Sequence, residues 1–183
     1  RAPHEVLAPP GAQRLQQALR SLEEFSKISD PTAAAKIERL RYLSYTLERA
    51  VQATNVGVSR LQHATLYVLL DGRKDAQEFR RTAELLVGAG VNLIQLRDKS
   101  LDDRTLLERA RILRSITSGS STLFIMNDRP DLAVLSGADG VHVGQEELSV
   151  KDTRRIVGVD TLIGVSTHSI EQARQAVLDG ADY

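Results

Sequence analysis

Val91-Asn92-Leu93-Ile94-Gln95-Leu96-Arg97-Asp98-Lys99 is an apolar run that ends in a cluster of polar side chains. Val91 to Leu96 reads as a buried β-strand. Leu93, Ile94 and Leu96 put apolar groups on both faces, the mark of a strand in a covered parallel sheet. Side chains alternate between faces, so Gln95, Arg97 and, if the strand geometry continues, Lys99 project the same way. Two cations and an amide on one side form a socket for an anion, a phosphate or diphosphate. The competing reading is a solvated edge strand.

The same pattern repeats around this strand. Short apolar runs at Leu66–Asp71, Leu93–Arg97, Leu123–Asn127, Gly140–Gly144 and Leu162–Thr167 alternate with amphipathic stretches. The latter predict helices near Ala76–Val87, Leu101–Thr117, Pro130–Leu135, Val150–Val157 and Ile170–Leu178. Asp75 with Glu78, Ser100 with Asp103, Ser149 with Asp152 and Ser169 with Gln172 stand at or near capping-box spacing. Gly88 and Gly180 stand where a left-handed helix stop is wanted. Strand-helix alternation with apolar strands means a parallel sheet covered by helices.

An open doubly wound sheet would carry a glycine-rich phosphate turn after its first strand. Asp71-Gly72-Arg73-Lys74-Asp75 lacks it. Polar residues stand instead at the carboxyl end of every strand: Asp71, Gln95 and Arg97, Asn127 and Asp128, His142 and Gln145, Ser166 and His168. That ring is what a barrel active site needs. The expected fold is therefore α/β, a TIM-type (β/α)8 barrel truncated after about five strands. Gly180-Ala181-Asp182-Tyr183 reads as the opening of another strand, and the chain as a fragment cut at both ends.

The first third has a different period. Residues 1 to about 10 hold three prolines and read as an irregular lead-in. Leu15, Leu19, Leu22 and Phe25 recur at helical spacing. Asp30-Pro31 restarts a helix, with Asp30 as N-cap and Pro31 at the first helical position. Ile37, Leu40, Leu43, Tyr45 and Leu47 give it an apolar face. This is an antiparallel helical hairpin ending near Ala53-Thr54, with a linker at 55–64. The domain division is 1–60 for hairpin and linker and 61–183 for the partial barrel.

Composition bounds the function. Lys+Arg and Asp+Glu each number 24 in 183 residues, and a nucleic-acid binder would usually be basic. Cysteine is absent, which excludes disulfides and Cys-ligated zinc and allows a reducing compartment. No apolar stretch approaches a membrane span, and the start lacks the pattern of a signal peptide. A cytoplasmic protein is expected.

Three further stretches carry candidate chemistry. In Asn127-Asp128-Arg129-Pro130-Asp131 a strand delivers Asn127 and Asp128 to the rim. Asp128 reads either as a helix N-cap or as a ligand for magnesium, which takes one or two carboxylates plus phosphate oxygens. A second acidic stretch runs from Asp139 to Glu147. Within it His142 faces the interior between Gly140 and Gly144, as a hydrogen-bonded core residue or a catalyst. Glu146 and Glu147 follow in the loop, where they read either as ordinary exposed charges or, in the company of Asp128, as metal ligands. On the fifth strand Gly164, Ser166 and His168 share a face. Ser166 or Thr167 would hold a phosphate oxygen near a helix N-terminus. His168 is an acid, a base or a loop residue.

Gln95-Leu96-Arg97-Asp98-Lys99, Asn127-Asp128-Arg129-Pro130-Asp131-Leu132-Ala133, Ala138-Asp139-Gly140-Val141-His142-Val143-Gly144-Gln145-Glu146 and Ile163-Gly164-Val165-Ser166-Thr167-His168 closely resemble the thiamine-phosphate synthase family in order and spacing, across Leu66 to Tyr183. The resemblance implies a barrel transferase of thiamine biosynthesis. Such an enzyme joins hydroxymethylpyrimidine diphosphate to thiazole phosphate and releases pyrophosphate. By position it implies that Gln95, Arg97 and Lys99 hold the pyrimidine diphosphate, that Asn127 contacts it, and that Ser166 hydrogen-bonds the departing pyrophosphate. Arg97, Lys99 and Ser166 are then the catalytic set. Mg2+ is the implied cofactor, bound by Asp128 and by Glu147, where the family usually has aspartate. The family's threonine-rich loop with its lysine, and its glycine-rich phosphate site, have no counterpart before Tyr183.

The hairpin resembles, more loosely, a helical extension of some of these synthases. Its charges read as solvated helix faces before they read as a second site. The expected partners are small-molecule substrates, with no nucleic acid and no membrane; a homo-oligomer is left open. The rival readings are a thiazole tautomerase-like barrel, sharing a histidine near His168, and a non-catalytic barrel serving binding or oligomerisation.

Overall fold

The computed structural model describes residues 10–183, apart from the side chains at positions 10, 12, 13, 46–56 and 58. Residues 1–9 of the expected lead-in, and the Leu47 side chain, lie outside the described residues. The chain divides into two compact units, Arg1–Val56 and Gly57–Tyr183.

α1 (Pro10–Ser29) is followed by α2 (Pro31–Leu61); the first unit takes α2 only to Val56, and the last residues of α2, from Gly57, belong to the second. Asp30 separates them as expected. Its Oδ1 accepts from the N–H groups of Thr32 and Ala33, both at 3.0 Å, capping α2 while Pro31 supplies a residue with no N–H to satisfy. Arg41 Nε donates to Glu23 Oε2 at 2.8 Å, joining the two helices. Leu15, Leu22, Phe25 and Ile28 of α1 and Leu40 and Leu43 of α2 remain exposed.

The expected linker from residue 55 is not there: α2 continues to Leu61. Asn55-Val56-Gly57-Val58 has low helix propensity, but tertiary contacts hold the helix end. A Cβ on Gly57 would lie 2.5 Å from Asp182 Oδ1, so only glycine permits that approach. Arg60 donates to Asp139 Oδ1 at 3.0 Å and to the Asp160 carbonyl at 3.1 Å.

The second unit alternates β1 (Tyr67–Leu70), α3 (Ala76–Gly88), β2 (Leu93–Leu96), α4 (Asp103–Thr117), β3 (Leu123–Asn127), α5 (Pro130–Ser136), β4 (Gly140–Val143), α6 (Val150–Val157), β5 (Leu162–Val165) and α7 (Ile170–Asp179). All strand pairs are parallel, in the spatial order β1-β2-β3-β4-β5. A doubly wound sheet would reverse order at a switch point; this one never does. Past α7 the chain begins a sixth rung. Asp182 N–H donates to the Ile163 carbonyl at 2.7 Å and Val165 N–H to the Tyr183 carbonyl at 2.9 Å.

The sheet curls. The Tyr67 hydroxyl on β1 lies 3.1 Å from the Tyr183 hydroxyl, beyond β5, whereas in a flat sheet those backbones would stand roughly 24 Å apart. The outer face carries Leu70, Ile94, Leu96, Phe124, Met126, Val141, Val143 and Ile163, packed on Phe79, Ala83, Leu106, Ala110, Leu113, Leu132 and Val150 of the helices. Fully burying each such large side chain contributes about 1.5–3 kcal/mol. The inner face is where the polar residues sit. Two residue types thus share each strand because a period of two sorts them onto opposite sides.

Asp75, Ser149 and Ser169 cap α3, α6 and α7 as expected. Two helix ends differ. The α4 cap is Asp102, not Ser100, because Ser100 is bound to Asp98 through both its N–H and its hydroxyl. The left-handed residue after α3 is Gly90, with φ +80°, while Gly88 stays helical.

Asp139, read in the sequence as part of a second acidic site, sits at the opposite, N-terminal end of β4. There its carboxylate accepts from Arg60, from Arg114 at 3.0 Å and from the Phe124 N–H at 2.9 Å. Asp139→Ala is expected to cost about 2–4 kcal/mol, because two guanidinium groups and a backbone donor lose a carboxylate acceptor at once. Urea denaturation will read this as a lower midpoint at unchanged slope; an unchanged midpoint would refute the hub role.

Candidate active site

The carboxyl ends of the strands surround a cavity of about 260 Å³. It is lined by Tyr67, Leu69, Gln95, Arg97, Lys99, Asn127, Asp128, His142, Gly144, Glu147 and Ser166. Seven nominated residues therefore meet at one place: Gln95, Arg97 and Lys99 from the end of β2, Asn127 and Asp128 from the end of β3, Glu147 after β4 and Ser166 after β5; Glu146 and Thr167 do not line it. Nor does His168. Its N–H donates to Gln172 Oε1 at 2.7 Å. A groove of similar size between α6 and α7 has only Glu147 and Asp179 as charged lining and so offers no cation to a phosphate.

Gln95 anchors the floor. It is 3 % exposed, and its Nε2 donates to the Tyr67 hydroxyl at 2.6 Å. Burial pushes both Tyr67 and Tyr183 above the usual phenol range, so both remain hydroxyls that can pass hydrogen bonds along. Arg97 is exposed at the rim. Its guanidinium makes no ion pair among the described residues, so its charge is free for a ligand.

Lys99 lies between two acids. Its Nζ is 3.2 Å from Asp128 Oδ2 and 3.5 Å from Glu147 Oε1. Asp128 first, then Glu147, hold the ammonium above its usual range. These contacts carry little stability, since the ammonium is exposed. Their value is positional: two carboxylates from different strands already converge on one positive charge. Hard oxygen donors of this kind suit a divalent cation such as magnesium. Among the described residues no three His, Cys, Asp or Glu groups gather into a complete cage, so ligand oxygens and water would fill the remaining positions.

The helix-cap reading of Asp128 fails. The N-cap of α5 is Arg129, with no side-chain capping bond. Asp128 instead takes φ +59°, a left-handed conformation that aspartate and asparagine tolerate better than other non-glycine residues. Such conformations cost of order 1–3 kcal/mol and cluster where a side chain must be aimed. The Asp128 N–H donates to the His142 carbonyl at 2.8 Å, which locks the turn to β4.

On the far wall His142 Nε2 is 2.9 Å from Ser166 Oγ. Burial draws the His142 pKa down, against the opposing pull of the Asp128 charge. Gln145 Nε2 donates to the Ser166 carbonyl at 2.7 Å.

A family model described as thiamine monophosphate synthase matches residues 66–183, the stretch that builds this cavity. The chain belongs to the thiamine monophosphate synthase family. A second model, described as the ThiD2 family, matches residues 2–50. Thiamine-phosphate synthase of Rhodopirellula baltica is 48% identical over 174 residues, spanning 93% of this chain and 46% of the relative. That of Gloeobacter violaceus is 43% identical over 170 residues, 93% of this chain and 49% of the relative. The chain thus spans about half the length of the curated relatives it matches. A solved structure, thiamine phosphate pyrophosphorylase from Pyrococcus furiosus, superposes with a TM-score of 0.58 at 36% identity, over 66% of this chain and 58% of that one.

Several residues of this family member's site escape a reading of the sequence. Arg129 reaches Asp131 Oδ1 at 2.9 Å and Asp103 Oδ2 at 3.2 Å, tying the starts of α5 and α4 together behind Asp128 and Lys99. Asp98 accepts from the Gly72 N–H at 3.0 Å, joining the loops after β1 and β2. Asp98-Lys99-Ser100 carries an Asx-turn signal that foretells the local part of this. Nothing local marks Tyr67 or Tyr183, whose pairing depends on the curl of the sheet. No described helix is long and apolar enough to cross a membrane.

Proposed function

We propose that the protein joins hydroxymethylpyrimidine diphosphate to thiazole phosphate, forming thiamine phosphate and releasing pyrophosphate. The observation that carries this is the convergence of Arg97, Lys99, Asn127, Ser166 and two carboxylates on one cavity, in a chain of this family. The exocyclic carbon–oxygen bond to the diphosphate breaks, and the electron pair leaves with the diphosphate. An aminopyrimidine spreads the resulting positive charge into its ring. The thiazole nitrogen then supplies the electron pair for the new carbon–nitrogen bond.

No protein nucleophile is needed, so the side chains work by charge and placement. Arg97 and Lys99 neutralise the departing diphosphate. Gln95, fixed from below by Tyr67, positions the pyrimidine, and Asn127 contacts it beside β3. Ser166 hydrogen-bonds the leaving group. Asp128 and Glu147 would hold magnesium, which when bound supplies charge neutralisation at the phosphate oxygens. The same reading makes the partners small molecules, rather than nucleic acid or membrane, and the setting cytoplasmic. His168, which a tautomerase-like reading would use, stands away from the cavity.

Isothermal titration of the full-length protein with hydroxymethylpyrimidine diphosphate tests this. Binding that strengthens on adding Mg2+ is expected. Equal affinity for the diphosphate and for the free alcohol, with or without the metal, would overturn the proposal.

A further inference from the structure

His142 lies on the inner face of β4, in register with Gly164 of β5. One ring nitrogen, Nε2, is 2.9 Å from Ser166 Oγ. The other, Nδ1, is buried and has no hydrogen-bond partner. Its surroundings explain why. The Tyr183 ring lies tilted by 40° with its centroid 5.6 Å away. A Cβ on Gly164 would stand 2.5 Å from Nδ1 and would overlap the Tyr183 ring. Nδ1 therefore faces aromatic carbon and backbone, with no acceptor in reach.

A proton on Nδ1, whether in the neutral or the charged ring, needs an acceptor that this pocket lacks, so the imidazole carries one proton. On Nδ1 that proton would be a buried donor without an acceptor. On Nε2 it has Ser166 Oγ, and Nδ1 keeps only an unmatched lone pair, the cheaper defect. We infer that His142 is the Nε2–H tautomer and donates to Ser166, so that the serine keeps its own proton for an anion in the cavity. His142 is thus a positioning residue acting through Ser166. The opposite tautomer would accept the serine's hydrogen bond and turn oxygen lone pairs toward the anion, which repels. Gln145 holds the Ser166 backbone from the other side at 2.7 Å, leaving the hydroxyl direction to His142. That the anion is a diphosphate rests on the function proposed above.

The tautomer is read directly in the full chain by long-range proton–nitrogen correlation of 15N-labelled protein, with His142→Gln identifying the signal. A pyridine-type Nδ1 and a pyrrole-type Nε2 are expected; the reverse pattern overturns the inference. Pyrophosphate with Mg2+ is then titrated into the full-length protein. A glutamine amide reaches the Nε2 position and can donate there, so His142→Gln should bind near wild type. His142→Leu should bind about tenfold more weakly, the worth of one misdirected hydrogen bond. In a Ser166→Ala background His142→Leu should cause no further loss, whereas a merely structural histidine would lose as much again. Glutamine no better than leucine, or full loss in the alanine background, overturns the positioning role. Failure of the wild type to bind pyrophosphate would instead overturn the diphosphate reading, with the tautomer result intact.

Discussion

Arg97→Ala in the full-length enzyme is expected to lower kcat by about 10²–10³-fold. The reason lies in how charge is shared across the cavity. Lys99 is already engaged by Asp128 at 3.2 Å and by Glu147 at 3.5 Å. One ammonium between two carboxylates leaves a local excess of one negative charge, and Arg97 brings the sum to zero. Remove Arg97 and the departing diphosphate loses a rim guanidinium that no carboxylate engages among the described residues, just as its own charge grows in the transition state. Ground-state affinity should fall less than kcat, because bond breaking concentrates charge on the leaving oxygens. Arg97→Lys should recover part of the loss: it restores the charge but not the planar, two-pronged contact. Steady-state rates with saturating Mg2+ decide the matter. An Arg97→Ala enzyme turning over near the wild-type rate would remove this residue from the site.

What the sequence could and could not disclose follows from the range of each interaction. Strand parity is local, and it is enough to put Gln95 on the inner face; β2 ends at Leu96, so Arg97 and Lys99 reach the same cavity through the course of the loop beyond it. Parallel order then stacks Asn127, His142 and Ser166 beside them with no further information. β3 and α6 are found at the residues expected of them, since apolar period and cap lie close together in the chain. The misreadings come where a distant group intervenes. The end of α2 is helical because Asp139 and Asp182 receive it, and neither is visible from residue 55. Ser100 loses its capping role to Asp102 because Asp98 already holds it. Asp139 and Glu147 share one acidic stretch, yet an intervening strand sends them to opposite ends of the sheet. Tyr183 joins Tyr67 across 116 positions of sequence, a contact only a curled sheet creates.

Asp128→Asn is expected to separate two effects that normally coincide. Asparagine matches aspartate in size and is equally at home at φ +59°, so the turn and its bond to the His142 carbonyl should persist. An alanine would add the cost of a left-handed non-glycine backbone and blur the result. The amide removes one of the two carboxylates that suit a divalent cation. The Mg2+ concentration giving half-maximal activity should therefore rise at least about tenfold. The same change removes a negative charge beside the diphosphate and releases Lys99 from its nearest acid. Without metal, the variant should thus bind pyrophosphate more tightly than the wild type, although it is the poorer enzyme with metal present. Glu147→Gln should act in the same direction, since it loosens the other contact to Lys99. Opposite signs in the two conditions require the carboxylate to serve the cation rather than the fold. An Mg2+ titration that superposes on the wild type would reduce Asp128 to a turn residue that happens to touch a lysine.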